Sequence, residues 1–213
     1  MLLEEQRKDV ITYCQKMIKS GLTKGTGGNI SIIDREKSLM VISTSGQDYF
    51  EMKPDDIPVL DFDGNIVEGK RKPSTELQMH TMIYKNYPEA NAIVHCHSVY
   101  ATSLSILREE LPASNYLVAS GGGNNVRCAE YQSFGTKEIG MAAVAALVDR
   151  KACLLANHGQ IAYGENIEKA FSLASTVEEC SMTYMIARSV GKPFILDDNE
   201  MKFMKEKFKS YGR

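Results

Sequence analysis

Two apolar segments that each lead into histidine constrain the fold of this chain more than any other feature. Residues 92–97 read Ala-Ile-Val-His-Cys-His. The two-residue period of a strand places His95 and His97 on one face, at the strand's C-terminal end. Residues 152–156 form a second apolar segment, and His158 follows its end. A fold that joins these strand ends brings three imidazoles to one place.

These histidines and one upstream carboxylate predict a metal site. Three neutral imidazoles with one carboxylate or water fit tetrahedral zinc, and an exchangeable fourth position is typical of a catalytic site. We therefore predict that Glu76, His95, His97 and His158 bind one Zn²⁺ ion. His80 lies four residues after Glu76 on a predicted helix, but no other candidate ligand converges on it. It is interpreted as structural.

Composition restricts the class of protein. A length of 213 residues with 43% hydrophobic content suits one sizeable α/β domain. A net charge of -2, without a basic stripe, argues against a nucleic-acid partner. The longest apolar run, residues 141–148, is too short to cross a bilayer, and no membrane partner is expected. Five cysteines without CxxC spacing indicate free thiols, so we expect a cytoplasmic protein.

Periodicity predicts alternating helices and strands. Apolar residues at helical spacing indicate an amphipathic helix over residues 3–19, closed by Gly21. Pro73-Ser74-Thr75 offers a capped start for a further helix, which Pro88 ends. The remaining predicted elements are short strands of a meander near residues 25–32, 39–43 and 57–60, and helices near residues 99–106, 137–147 and 167–190.

Three glycine- or hydroxyl-rich loops are candidate anion sites. The segment 25–29 lacks the Lys-Ser/Thr of a P-loop and fails the GxGxxG pattern, so nucleotide binding is not supported. Its amides could instead bind an oxyanion through a backbone nest. Segments 44–46 and 73–75 combine hydroxyls with backbone N–H groups, and the latter directly precedes Glu76. An anion bound there would lie next to the metal. The candidate residues are Thr26, Gly28, Asn29, Ser45, Gly46, Ser74 and Thr75.

Six ordered motifs make the chain resemble the zinc-dependent class II aldolases, and most closely the L-fuculose-1-phosphate aldolases. They are Gly27-Gly28-Asn29-Ile30-Ser31, Ser45-Gly46, Pro73-Ser74-Thr75-Glu76, Val94-His95-Cys96-His97, Asn157-His158-Gly159 and Phe208-Lys209-Ser210-Tyr211-Gly212. The resemblance covers nearly the whole chain. It implies an α/β fold in one domain over residues 1–213, with a central, mostly antiparallel β-sheet flanked by helices.

The resemblance also implies an activity. A sugar phosphate, for which L-fuculose 1-phosphate is the favoured candidate, would be cleaved reversibly to dihydroxyacetone phosphate and L-lactaldehyde. The three histidines would bind one zinc ion per subunit, and the anion-site residues above would bind the phosphate. Glu76 would complete the metal site and become the catalytic base once substrate displaces it, with a pKa raised by partial burial. Tyr116 and Tyr211 would reach the aldehyde end from a neighbouring subunit of a homotetramer.

Other readings stay open at this point. Sugar-phosphate 4-epimerases, including ribulose-phosphate 4-epimerases, resemble this fold but carry aspartate where this chain has Glu76. A methylthioribulose-1-phosphate dehydratase would use the same metal to expel a hydroxyl. An adducin-like interaction module would lack the metal. L-rhamnulose 1-phosphate, 5-deoxy-pentulose 1-phosphates and D-ribulose 1-phosphate are further possible substrates.

Overall fold

A computed structural model describes residues 1–210 and divides them into ten strands and six α-helices. In chain order these are α1 Glu4–Lys19, β1 Asn29–Asp34, β2 Leu39–Ile42, β3 Val59–Asp61, β4 Ile66–Glu68, α2 Leu77–Asn86, β5 Ala92–Cys96, α3 Val99–Ile106, β6 Leu111–Pro112, β7 Asn125–Val126, β8 Cys128–Ala129, α4 Lys137–Ala146, β9 Ala152–Leu155, β10 Gly159–Gly164, α5 Ile167–Val190 and α6 Asp198–Ser210. Short 3₁₀ helices cover Pro54–Asp56 and Tyr116–Gly121.

Eight of the strands form one sheet in the order β4-β3-β2-β1-β5-β10-β9-β8. Every neighbouring pair in this sheet is antiparallel except β8 and β9, while β6 and β7 form a separate antiparallel ribbon. The predicted α/β class with a mostly antiparallel sheet is confirmed. Strand β5 lies at the centre, between β1 and β10, so its end is enclosed by both neighbours.

The two faces of β5 enter two different hydrophobic clusters. Ala92, Val94 and Cys96 belong to the cluster that includes residues of α1, α3 and α5. Ile93 belongs to the opposite cluster, which includes residues of α2 and α4. This alternation confirms the predicted strand and puts His95 on the Ile93 face. Within residues 1–210, no helix is long and apolar enough to cross a membrane.

The start of α2 differs from the sequence prediction. Glu76, rather than Ser74 or Thr75, occupies the N-cap position, and its side chain makes no capping hydrogen bond. The Ser74 hydroxyl accepts a hydrogen bond from the Glu76 N–H at 3.2 Å. The carboxylate is therefore left free to point away from the helix. It still lies at the helix N-terminus, where the peptide dipoles favour negative charge.

Candidate metal centre and adjoining cleft

The three predicted histidines meet because β5 and β10 are antiparallel neighbours. His95 is the fourth residue of β5, His97 follows the strand, and His158 lies in the turn that joins β9 to β10. A Cβ atom on Gly159 would collide with the Cys96 carbonyl oxygen and crowd the His97 ring. Glycine at this position therefore lets the turn approach the end of β5 closely.

Four nitrogen and oxygen atoms converge at this point. The Nε2 atom of His97 lies 3.0 Å from Nε2 of His95 and 3.1 Å from Nε2 of His158. The Glu76 carboxylate contacts His95 Nε2 at 3.0 Å and His158 Nε2 at 3.5 Å. Ligand atoms bound to tetrahedral zinc at about 2.0–2.1 Å lie roughly 3.3 Å apart, which is close to these separations.

The donor chemistry of the cluster fits a divalent cation. His95 Nδ1 lies 2.8 Å from the Gln160 carbonyl oxygen, to which it donates a hydrogen, and this leaves the lone pair on Nε2. The buried Oε1 atom of Glu76 has no hydrogen-bond partner within residues 1–210. An unpaired carboxylate oxygen beside three imidazole nitrogens is explained by a cation. Glu76, His95, His97 and His158 could thus hold a metal ion.

The local charges shift the pKa values of these groups in opposite directions. Burial would raise the pKa of Glu76, but His95, His158 and the Asn29 amide outweigh it and lower that pKa. This lowered pKa belongs to Glu76 in contact with the imidazoles. The predicted rise concerns Glu76 after substrate has displaced it, and it stays a prediction. Despite its burial, His95 has a raised pKa because Glu76 stabilises its charged form. Desolvation and the charge of His95 lower the pKa values of His97 and His158 to about 4, which keeps both rings neutral, as metal binding requires.

An open cavity of about 420 Å³ adjoins the four candidate ligands. Glu76, His97 and His158 line it, whereas His95 is fully buried behind them. All the residues predicted to bind an anion also line this cavity: Thr26, Gly28, Asn29, Ser45, Gly46, Ser74 and Thr75. The structure therefore brings the predicted anion loops and the predicted metal ligands to one site.

The hydrogen-bond donors of the anion loops differ in part from the prediction. The Ser45 N–H donates to the Lys72 carbonyl and the Ser74 N–H to the Ser43 carbonyl, so neither amide is free to bind an anion. Both residues line the cleft, so the hydroxyl of each is the donor it has left to offer an anion there. Gly28 has a φ of +72°, and a Cβ there would lie 2.6 Å from the His95 carbonyl oxygen. Only glycine lets this loop approach β5 so closely.

His80 makes more contacts with the site than its sequence context predicted. It is fully buried, its Nε2 lies 2.6 Å from Asn29 Oδ1, and its Nδ1 lies 2.6 Å from Ser31 Oγ. Asn29 in turn donates from Nδ2 to Glu76 Oε2 at 2.9 Å. The sequence around His80 suggested that it is isolated from the site. In the structure it is joined to the candidate ligand Glu76 through the Asn29 side chain.

Burial of His80 predicts sensitivity of the metal-free protein to acid. Burial and the charge of His95 lower the pKa of His80 from 6.5 to about 3, although Glu76 opposes the shift. As pH falls, the His80 imidazole therefore binds a proton in the unfolded chain before it does so in the folded chain. The free energy of unfolding falls as pH drops below 6.5. At pH 4 the loss is about 3 kcal/mol. Urea unfolding of chelated protein at pH 7 and pH 4 measures it. His80→Gln should reduce the difference by that amount, and an unchanged difference would contradict the assignment.

The two predicted tyrosines lie away from this cleft or outside the described residues. Tyr116 begins a 3₁₀ helix, is 49% exposed and does not line the cavity of its own chain. Its ring stacks on Phe208 of α6, with ring centroids 6.3 Å apart. Tyr211 lies outside the described residues, and its predicted role stays a prediction.

Several cavity residues were missed from the sequence. Asn157 has a φ of 55°, a left-handed conformation that is uncommon outside glycine and that turns the chain into His158. Tyr131 and Phe134 lie in the loop between β8 and α4 and are 51% and 69% exposed. This loop has no periodicity, and two aromatic side chains near a Gly135-Thr136 pair were the only signal. The lining residues outside every predicted loop and motif are Tyr131, Gln132 and Phe134. Gly27, Thr44 and Asn157 also line the cavity; they lie in predicted loops or motifs but were not named as binding residues.

Comparison with known proteins places this geometry in a family. The model of the class II aldolase and adducin N-terminal domain family matches residues 8–185. The chain is 49% identical to a 5-deoxy-D-ribulose 1-phosphate aldolase of Bacillus thuringiensis serovar kurstaki over the full length of both chains. It is 40% identical to the L-fuculose phosphate aldolase of Escherichia coli K12, covering 96% of this chain and 94% of that one. A solved L-fuculose 1-phosphate aldolase is 47% identical, with a TM-score of 0.95 and 98% of each chain covered.

Proposed function

This chain belongs to the class II aldolase and adducin N-terminal domain family, and from that premise we propose that it is a zinc-dependent aldolase. It would cleave a ketose 1-phosphate reversibly to dihydroxyacetone phosphate and an aldehyde. One observation carries the proposal: Glu76, His97 and His158 line the same cavity as the hydroxyl- and glycine-rich loops. A phosphorylated substrate bound by these loops would present its carbonyl end to the candidate ligands.

The residues of the site have distinct roles in this proposal. His95, His97, His158 and Glu76 would hold a zinc ion, which would supply Lewis acidity at the substrate carbonyl. The hydroxyls of Ser45 and Ser74 and the Asn29 amide bind the phosphate and orient the sugar. In the cleavage direction, the hydroxyl on carbon 4 loses its proton to Tyr116 of a neighbouring subunit, and the bond between carbons 3 and 4 breaks. Tyr116 passes this proton on to solvent, and Glu76, which takes up a proton from solvent, delivers it to carbon 3.

The substrate we propose is a ketose 1-phosphate that ends in a methyl group. The 49% identical relative is named for 5-deoxy-D-ribulose 1-phosphate, and the 40% identical relative for L-fuculose phosphate. Both sugars end in CH₃, and cleavage gives acetaldehyde from the first and L-lactaldehyde from the second. Exposed aromatic rings of Tyr131 and Phe134 at the cavity offer apolar surface to such a terminus. We place 5-deoxy-D-ribulose 1-phosphate first, because the more similar relative bears its name.

The wider organisation is also part of the proposal. Residues 1–213 would form one class II aldolase-like domain in a cytoplasmic homotetramer. Tyr116 and Tyr211 would then enter a neighbouring subunit's cleft. The position of Tyr116 outside its own cavity supports this arrangement.

Release of dihydroxyacetone phosphate from a panel of ketose 1-phosphates tests the proposal. Zinc-loaded protein should cleave 5-deoxy-D-ribulose and L-fuculose 1-phosphates, and chelator-stripped protein should not. D-Ribulose 1-phosphate, which adds a hydroxyl at the terminal carbon, should have a kcat/KM lower by about 10-fold or more, because apolar rings do not pair that hydroxyl. Recovery of a ketose inverted at carbon 4 would indicate an epimerase instead, and loss of water from the sugar would indicate a dehydratase.

A further inference from the structure

A chain of five buried side chains leads from the core to the candidate base. Tyr84 Oη lies 2.8 Å from Ser31 Oγ, which lies 2.6 Å from His80 Nδ1. On the other side of the imidazole, Nε2 lies 2.6 Å from Asn29 Oδ1. Asn29 Nδ2 then lies 2.9 Å from Glu76 Oε2, which completes the chain. Each member is at most 6% exposed, and Ser31 and His80 are fully buried, so water has little access to the bonds of His80.

The carboxylate at one end fixes the direction of every hydrogen bond. Glu76 only accepts, so Asn29 must present Nδ2 to it and Oδ1 to His80. His80 must then carry its hydrogen on Nε2 and accept at Nδ1. The Ser31 hydroxyl donates to Nδ1 and accepts from the Tyr84 hydroxyl. Burial keeps the pKa of His80 at about 3, so the imidazole is neutral and one tautomer satisfies both of its contacts.

We propose that His80 is a positioning residue that acts on Glu76 and on the substrate phosphate through the Asn29 amide. The expected effect of His80 on turnover rests on the proposed function. By donating to Oδ1, His80 prevents the amide from flipping and keeps Nδ2 on the side of Glu76. If the amide flipped, Asn29 Oδ1 would face the Glu76 carboxylate. Both oxygens are acceptors, so the hydrogen bond to Glu76 would be lost.

Asn29 connects two anions through the same nitrogen. Its Nδ2 has two hydrogens, and one of them is used by Glu76. The side chain also lines the cleft, where the second hydrogen can reach a phosphate oxygen. His80 therefore orders a donor shared by the base and the phosphate site. Loss of this order should affect both kcat and KM, whereas loss of a histidine that only fills the core would affect stability alone.

The first test compares two substitutions of His80. His80→Gln can still donate to Asn29 and accept from Ser31, whereas His80→Leu can do neither. We expect His80→Leu to lower kcat by roughly 10–100-fold and to raise KM for the phosphorylated substrate, as for other partners of metal ligands. We expect His80→Gln to restore kcat to within about threefold of the starting protein. Tyr87→Phe is the matched control, since it removes a hydrogen bond to the Val144 carbonyl at the end of the same helix without touching the chain.

A double-mutant cycle then separates positioning from general destabilisation. If His80 acts through Asn29, His80→Leu should add little to the loss of kcat already caused by Asn29→Ala. Additive losses, or a His80→Leu protein with unchanged kcat and KM, would overturn the role. If His80→Leu does not fold, Ser31→Ala takes its place, because it removes the donor to His80 Nδ1 and the acceptor for Tyr84 while leaving His80 and Asn29 in place.

A binding measurement distinguishes this inference from the proposed function. Chelator competition reports zinc affinity whether or not the protein cleaves a sugar, and His80→Leu should weaken it by roughly 10-fold while Tyr87→Phe leaves it unchanged. If no panel sugar is cleaved but the His80 effect on zinc affinity persists, the proposed function fails and the positioning role stands. If sugars are cleaved and His80→Leu changes neither kinetics nor zinc affinity, the positioning role fails alone.

Discussion

Replacement of Glu76 by glutamine is expected to lower kcat by about 10²–10⁴-fold, the contribution typical of a general acid–base residue. The amide has the size of the carboxylate, and its oxygen can still face the imidazoles, but it cannot accept the proton from carbon 3. His95, His97 and His158 are unchanged, so the metal should remain bound. KM should change far less than kcat, because the phosphate is bound by the serine, threonine and glycine loops that line the cleft.

Glu89→Gln is a suitable control for this substitution. It makes the same chemical change at a carboxylate that accepts a hydrogen bond from the Tyr163 hydroxyl at 2.9 Å and is not among the cavity residues. Its kcat should equal that of the unmodified protein. Zinc content and steady-state kinetics are measured on both variants. Normal turnover by a zinc-replete Glu76→Gln protein would remove Glu76 from the mechanism.

The histidines among the candidate metal ligands could be predicted from the sequence because each lies in a recognisable local pattern. His95 and His97 end an apolar strand, and the two-residue period fixes the side on which they project. His158 follows a second apolar segment, and Pro73-Ser74-Thr75 predicted that a helix begins close by, although its N-cap is Glu76. The three histidines need only that β5 and β10 become neighbours, whereas Glu76 comes to them at the start of α2.

The hydrogen-bond chain behind Glu76 could not be predicted in the same way. His80 is 51 residues from Asn29 and 49 from Ser31 in sequence, so their contacts depend on how α2 packs on β1. No local periodicity contains that information. The lowered pKa of Glu76 in contact with the imidazoles could not be predicted either, since burial alone would raise it and the imidazoles that reverse the shift are brought together only by the fold. The place of residues 131–134 in the cavity wall was not predicted, because this loop has neither a periodic hydrophobic pattern nor a helix-capping signal.

Removal of the metal is expected to abolish activity while leaving the protein folded. Lewis acidity contributes several kcal/mol to the stabilisation of transition-state charge, so chelated protein should lose about 10³-fold or more of its kcat. The fold should persist because two hydrophobic clusters pack on opposite faces of the central strand and do not depend on the four candidate ligands. Circular dichroism of the chelated protein should match that of the loaded protein, and its melting temperature should be lower because the metal binds only the native state.

Single histidine variants make the same test specific to the site. His158→Ala removes one candidate ligand from a turn, so it should reduce zinc to well below one ion per subunit and should not regain activity at moderate zinc concentrations. His80→Gln changes the one remaining histidine of the four in the chain, and it should keep full zinc content because glutamine can still donate to Asn29 and accept from Ser31. Equal zinc content in both variants would show that the metal lies elsewhere. If only His158→Ala loses zinc, the loss results from removal of a ligand at this centre and does not follow from replacing any buried histidine.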